Sequence, residues 1–193
     1  MAYIRTFIAV EISDEVRGQV RRLLDRLTTI EQAVRWVDPN NIHLTLNFLG
    51  DVVDRQTPEV CQSVANAVAE ITPLVLDCIG IGAFPNLARP RTVWAGIEGD
   101  TEPLQQLQRT IANAMADLGF PPESRRYKPH LTLGRLKKGR RVSEEGKAVL
   151  HENADLDLGA IQVDEVIVFA SELTKEGPIY TPMSRVTFGD GQG

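Results

Sequence analysis

Two of the three histidines in this 193-residue chain sit in the same tetrapeptide, His43-Leu44-Thr45-Leu46 and His130-Leu131-Thr132-Leu133. With 13 threonines in 193 residues, chance would put a Thr two places after two of three histidines roughly once in a hundred. The imidazole pKa, about 6.5, lets histidine act as base or acid near neutrality. A pair therefore supplies both halves of an acid–base reaction. In a strand, residues two apart share a face. His43 and Thr45 then point one way and Leu44 and Leu46 the other; His130 and Thr132 are set against Leu131 and Leu133 in the same manner. If both His/Thr pairs face a common cleft, four groups converge that suit a phosphodiester. One imidazole takes the proton of the attacking oxygen, the other protonates the leaving oxygen, and the hydroxyls donate to the non-bridging oxygens. No metal is required.

The elements that must hold these residues also recur. Arg5-Thr6-Phe7-Ile8-Ala9 resembles Arg91-Thr92-Val93-Trp94-Ala95, and both read as strands. An amphipathic helix follows each. The first has Ser13 as N-cap and a stripe of Val16, Val20, Leu23, Leu24 and Leu27. The second has Thr101 as cap, Pro103 in its first turn and a stripe of Leu104, Leu107, Ile111, Met115 and Leu118. From Arg5 to His43 is 38 residues, and from Arg91 to His130 is 39, as a duplicated unit requires. Beyond the first motif we expect a helix near 57–71 and a strand near 74–82. Beyond the second we expect a helix near 143–150, a strand near 161–169 and a final strand near 183–188. The reading is an α+β protein of two pseudo-symmetric lobes, each an antiparallel sheet with helices packed outside and the active-site cleft between them. It forms a single bilobal domain, the first repeat about 1–85 and the second about 86–193. The last residues, Gly189–Gly193, are expected to fray.

Bulk properties exclude several classes. The net charge of −5 argues against an extended nucleic-acid surface. No apolar run approaches the ~20 residues of a membrane span, and the start lacks the features of a signal peptide. Cys61 and Cys78, in a predicted helix and a predicted strand without CxxC spacing, read as free thiols of a cytoplasmic protein. Residues 125–141 hold eight Lys or Arg and no acid. Most of these read as solvated loop, with one or two placed to attract a phosphate. His151 has no repeat partner and reads as surface. Two other readings stay open: structural histidines, and a zinc site, although neither motif has an HxH, HExxH or clustered carboxylate beside it.

The paired HxTx motifs resemble the two-histidine (2H) phosphoesterase superfamily. The stretch from Arg35-Trp36-Val37 through His43 to Gly50, together with Val93-Trp94-Ala95-Gly96, Pro129 to Arg135 and Tyr180-Thr181-Pro182, resembles its RNA 2',3'-cyclic phosphodiesterase (2'-5' RNA ligase-like) branch. The resemblance implies metal-independent hydrolysis of an RNA-terminal 2',3'-cyclic phosphate to a 2'-phosphate. His43 would be the proton donor to the 3' oxygen and His130 the proton acceptor that activates water. Thr45, Thr132 and Arg135 would bind substrate. The family's reverse reaction, 2'-5' joining of tRNA halves, comes with it. Neither metal nor cofactor is implied. The partners would be RNA 3' ends bearing the cyclic phosphate, tRNA halves or nucleotides, met by a monomer without a membrane. Strict alternation puts Arg135 on the Leu face, so it reaches the cleft only if the strand ends or twists there. Phe48 falls on the Leu face too. Trp36, Trp94 and Tyr127 lie near the motifs as further candidates for base stacking. The alternatives are action on small cyclic nucleotides or ADP-ribose cyclic phosphate, and an RNA-end binding protein without turnover.

Overall fold

The computed structural model describes residues 2–175 and 177–189. Of the end expected to fray, residues 190–193 lie outside the described residues. The apolar stripes become helices as their spacing requires. In α1 (Asp14–Ile30) the Ser13 hydroxyl accepts from the Val16 amide at 3.2 Å, Asp14 and Glu15 complement the helix dipole, and the predicted stripe is buried. The other helices are α2 (Thr57–Val68), α3 (Thr101–Asp117) and α4 (Glu144–Glu152), the last capped by Ser143. The expected Thr101 cap is corrected. Asp100 holds the cap position, and its carboxylate instead accepts from the Val75 amide at 2.9 Å.

The strands are β1 (Tyr3–Glu11), β2 (Val34–Trp36), β3 (His43–Val53), β4 (Leu74–Phe84), β5 (Thr92–Gly99), β6 (His130–Leu136), β7 (Asp157–Val163), β8 (Glu165–Leu173) and β9 (Pro178–Thr187). Two strand expectations change. The stretch near 161–169 is two strands parted at Asp164. The last strand begins at Pro178, well before residue 183. The three-residue β2 is too short to leave a periodic signature.

All pairings are antiparallel, in the order β7-β4-β5-β6-β3-β1-β8-β9, with β2 on β6. The two expected sheets are thus edge-joined into one curled sheet with the helices outside. The seam is narrow: β3 and β6 meet at the single pair Leu44↔Leu131. The half-sheets also exchange strands. β4, from the first part of the chain, pairs with β5 and β7, whereas β8 and β9 complete the half that holds β1 and β3. The helices follow, α1 packing beside β7 and α4, and α3 beside α2 and β3.

One continuous core lies between sheet and helices, and Leu44, Leu46, Leu131 and Leu133 all belong to it. A smaller cluster of Phe7, Ala9, Ile167 and Phe169, with Tyr180 against it, occupies the other face. Among the described residues no helix is long and apolar enough to cross a membrane. Cys61 and Cys78 are free, and His151 is exposed on α4.

Candidate active site

Each motif opens its strand, His43 as the first residue of β3 and His130 as the first of β6. Burial alternates as the period demands. Leu44 and Leu131 are wholly buried, while His43, Thr45, His130 and Thr132 are half-buried. On either side of the Leu44↔Leu131 pair, the antiparallel run sets His43 beside Thr132 and Thr45 beside His130. The histidines therefore stand on a diagonal of this square, roughly 7–8 Å apart by strand geometry, with a threonine at each remaining corner.

Both rings are held in the same way. His43 Nδ1 lies 2.8 Å from the Asn41 carbonyl, and His130 Nδ1 lies 2.7 Å from the Lys128 carbonyl. A carbonyl only accepts, so Nδ1 carries the proton in both, and Nε2 of the neutral ring is left as the acceptor. Sequence reading could not find these two carbonyls, because any residue supplies one. Their surroundings differ. His43 stacks on Phe7 at 4.7 Å between ring centroids and meets the edge of Tyr180 at 5.3 Å. His130 meets Phe84 edge-on at 5.0 Å. Burial lowers the pKa of both imidazoles, and the Arg135 charge lowers His130 further.

His43, Thr45, Thr132 and Arg135 line one open cavity of about 440 Å³, together with Arg5, Phe7, Val37, Phe48 and Tyr180. His130 is not among the residues that line it; the ladder sets it opposite Thr45, which is. Arg135 therefore reaches the cleft, and the reason is a β-bulge. On β5, Trp94 pairs with Thr132 and Val93 with Gly134, so Leu133 is an extra residue and the alternation reverses after it. The first motif carries the same device. Ala9 pairs with Thr45 and Ile8 with Asn47, which makes Leu46 the extra residue. This corrects the placing of Phe48 and Arg135 on the Leu face; each stands five residues after its histidine, on the cleft side. The ladders also align Ala9 with Trp94, one residue off the sequence match of Arg5–Ala9 to Arg91–Ala95.

Phe48 is 43% exposed, with the Arg5 guanidinium 4.9 Å above its ring centroid. The other aromatic candidates are engaged elsewhere. Trp36 Nε1 donates to the Glu31 carbonyl at 3.0 Å. Trp94 covers Gly82 and Gly96 with its Nε1 buried. Tyr127 donates its hydroxyl to the Thr45 carbonyl at 3.1 Å, tying the loop before β6 to β3, and burial raises its pKa. Of the basic run, all eight side chains are exposed and Arg135 lines the cavity. Phe7 and Arg5 were not foreseen as cleft residues. No three His, Cys, Asp or Glu side chains come together as metal ligands among the described residues.

The chain matches the family described as "LigT like Phosphoesterase" over residues 10–94 and 97–180. It belongs to that family. Its similarity to a Methanothermobacter thermautotrophicus protein named RNA 2',3'-cyclic phosphodiesterase is 37% identity, covering 93% of this chain and 96% of the relative. An Archaeoglobus fulgidus protein of the same name is 32% identical, covering 92% and 96%. The fold of this LigT-like phosphoesterase is that of TT0787 of Thermus thermophilus, with a TM-score of 0.80, 25% identity and coverage of 98% and 100%. It is also that of E. coli LigT complexed with 3'-AMP, with a TM-score of 0.77, 24% identity and coverage of 96% and 98%.

Proposed function

We propose that this phosphoesterase hydrolyses RNA-terminal 2',3'-cyclic phosphates to 2'-phosphates without a metal, using His43 as acid and His130 as base. The observation that carries this reading is the matched pair of Nδ1–carbonyl bonds. They fix two imidazoles with Nε2 available on one diagonal, beside two threonines. The relatives named RNA 2',3'-cyclic phosphodiesterase supply the substrate class.

His130 suits the base, since burial and, after it, the Arg135 charge lower its pKa and so favour the neutral ring. Its Nε2 takes a proton as the water oxygen bonds to phosphorus. The P–O3' bond breaks, and His43 Nε2, protonated before the reaction, gives its proton to the departing O3'. The phosphate stays on O2'. The anionic substrate offsets the burial that disfavours the His43 imidazolium. Thr45 and Thr132 flank the phosphorus and donate to its non-bridging oxygens as charge builds. At the end of the cycle the imidazoles have exchanged protonation states, and a proton passing through solvent restores them.

Phosphorus NMR of an oligonucleotide ending in a 2',3'-cyclic phosphate, incubated with the protein in excess EDTA, tests this directly. The expected signal is a 2'-phosphate formed at the rate seen without chelator. A 3'-phosphate would reverse the leaving oxygen. Loss of turnover in EDTA, restored by zinc, would replace the two-histidine mechanism with a metal one.

A further inference from the structure

The carbonyls that fix the two imidazoles belong to no strand. Asn41 ends a single turn, Pro39–Asn41, and Lys128 lies in the loop between α3 and β6. Each carbonyl nonetheless stands within 2.8 Å of its Nδ1. One side chain from each loop reaches across the fold. Asn41 Nδ2 donates to the Pro178 carbonyl at 3.0 Å, at the start of β9. The Tyr127 hydroxyl, one residue before Lys128, donates to the Thr45 carbonyl of β3 at 3.1 Å. Each bond ends on a strand that carries another cleft residue, Tyr180 on β9 and Thr45 itself on β3.

Tyr127 does more than close a loop. Residues 121–126 and Lys128 are exposed, while the Tyr127 ring packs against the core. The half-sheets meet at the single pair Leu44↔Leu131. The hydroxyl bond to Thr45 is therefore a second tie across the seam, one residue from that pair. Burial raises the Tyr127 pKa, so the hydroxyl keeps its proton and stays a donor. Its ring is not part of the cavity lining.

We infer that Asn41 and Tyr127 are matched positioning residues: they pin the carbonyls that hold Nδ1–H of His43 and His130, and so keep Nε2 as the nitrogen that moves the proton. A neutral imidazole carries one proton on either nitrogen, and the partner of one nitrogen decides the state of the other. If the Lys128 carbonyl drifts, His130 is free to carry its proton on Nε2, where it cannot accept another. If the Asn41 carbonyl drifts, the His43 imidazolium loses an acceptor. Each carbonyl bond raises the pKa of its ring against the larger effect of burial, so loosening either bond lowers that ring's pKa further. The role in turnover rests on the function proposed above; the proton positions do not.

Imidazole nitrogen-15 NMR of the labelled protein reads the tautomer and pKa of each ring with no substrate present. In Tyr127→Phe, which keeps the ring on the core, His130 is expected to gain Nε2–H tautomer and titrate lower, with His43 unchanged. In Asn41→Ala the same changes should fall on His43 and spare His130. Retention of Nδ1–H by the expected ring in either variant overturns the assignment of that residue. Changes in both rings together overturn the inference, since a general loosening of the fold would give them. A dinucleotide ending in a 2',3'-cyclic phosphate supplies the kinetic arm. Tyr127→Phe is expected to lower kcat about 2- to 10-fold with KM unchanged, and to move the acid limb of kcat/KM down. A higher KM with native kcat would assign Tyr127 to substrate binding and overturn its positioning role. If the native protein turns over no cyclic phosphate, the function proposed above fails, and the nitrogen spectra still decide the two pins.

Discussion

The two motif copies share their backbone and differ in what surrounds it. Each has a histidine tied through Nδ1 to the carbonyl two residues earlier, a threonine on the same face, and a bulge at the second leucine. Past the bulge the copies part. The first places Phe48 in the cleft and the second places Arg135. The first histidine lies among Phe7, Phe169 and Tyr180, and the second meets the edge of Phe84. Equal backbones give two imidazoles of equal reach, each with its pKa lowered first by burial, and only the second has an arginine charge acting on it as well. In the proposed mechanism these unequal neighbours are what divides the pair into acid and base.

The most severe way to break the comparison is to remove each histidine in turn. His43→Ala and His130→Ala should each lower kcat by about 10²- to 10⁴-fold while circular dichroism stays native. Their pH profiles should differ. Without His130 the acid limb disappears, since no base remains to be titrated; without His43 the alkaline limb disappears. Loss of the same limb in both variants would refute the assigned roles. Because both pKa values are lowered by burial, the free protein at pH 7 holds both rings largely neutral, and kcat/KM should peak on the acid side of neutrality.

A second test addresses what the copies share. Leu44 and Leu131 are each fully buried at the one point where the half-sheets join. Leu44→Ala and Leu131→Ala should each cost about 2–5 kcal/mol by urea unfolding, and the two losses should not add, because the side chains are partners. Strict additivity would mean that the seam is not a shared contact.

The alternation that buries these leucines was legible in the sequence, as were the helical stripes and the doubled His/Thr faces. The bulges were not, because one extra residue in a strand leaves no mark on a period-two pattern until the partner strand is known. Phe48 and Arg135 were misplaced for that reason. The strand exchange was hidden for a related one: pairing β8 with β1 joins residues more than 150 positions apart, and nothing local encodes that choice. Asp164 divides what read as one strand, because apolar residues run on both sides of it in β7 and β8.

The smallest expected effect sharpens the comparison most. Arg135→Gln removes the charge that disfavours the His130 imidazolium, so that ring keeps its proton to higher pH and the acid limb of kcat/KM should move up. Phe48→Arg sets a cation at the equivalent place beside His43 and should move the alkaline limb down. Opposite shifts on opposite limbs are the expected outcome in a pH–rate series. A shift of both limbs together in either variant would mean that the charge acts on the cleft as a whole and does not distinguish the two rings.

The exchange of β4 and β8 between half-sheets has a consequence for what a single repeat could be. A chain carrying one repeat could finish its half-sheet only with the outer strand of a second copy, so its self-sufficient form is a strand-swapped homodimer. In such a dimer symmetry would force both histidines to have the same neighbours, and therefore the same proton affinity. Covalent fusion frees the two positions from each other. It is the linkage of the repeats in one chain that lets residue 48 be phenylalanine while residue 135 is arginine.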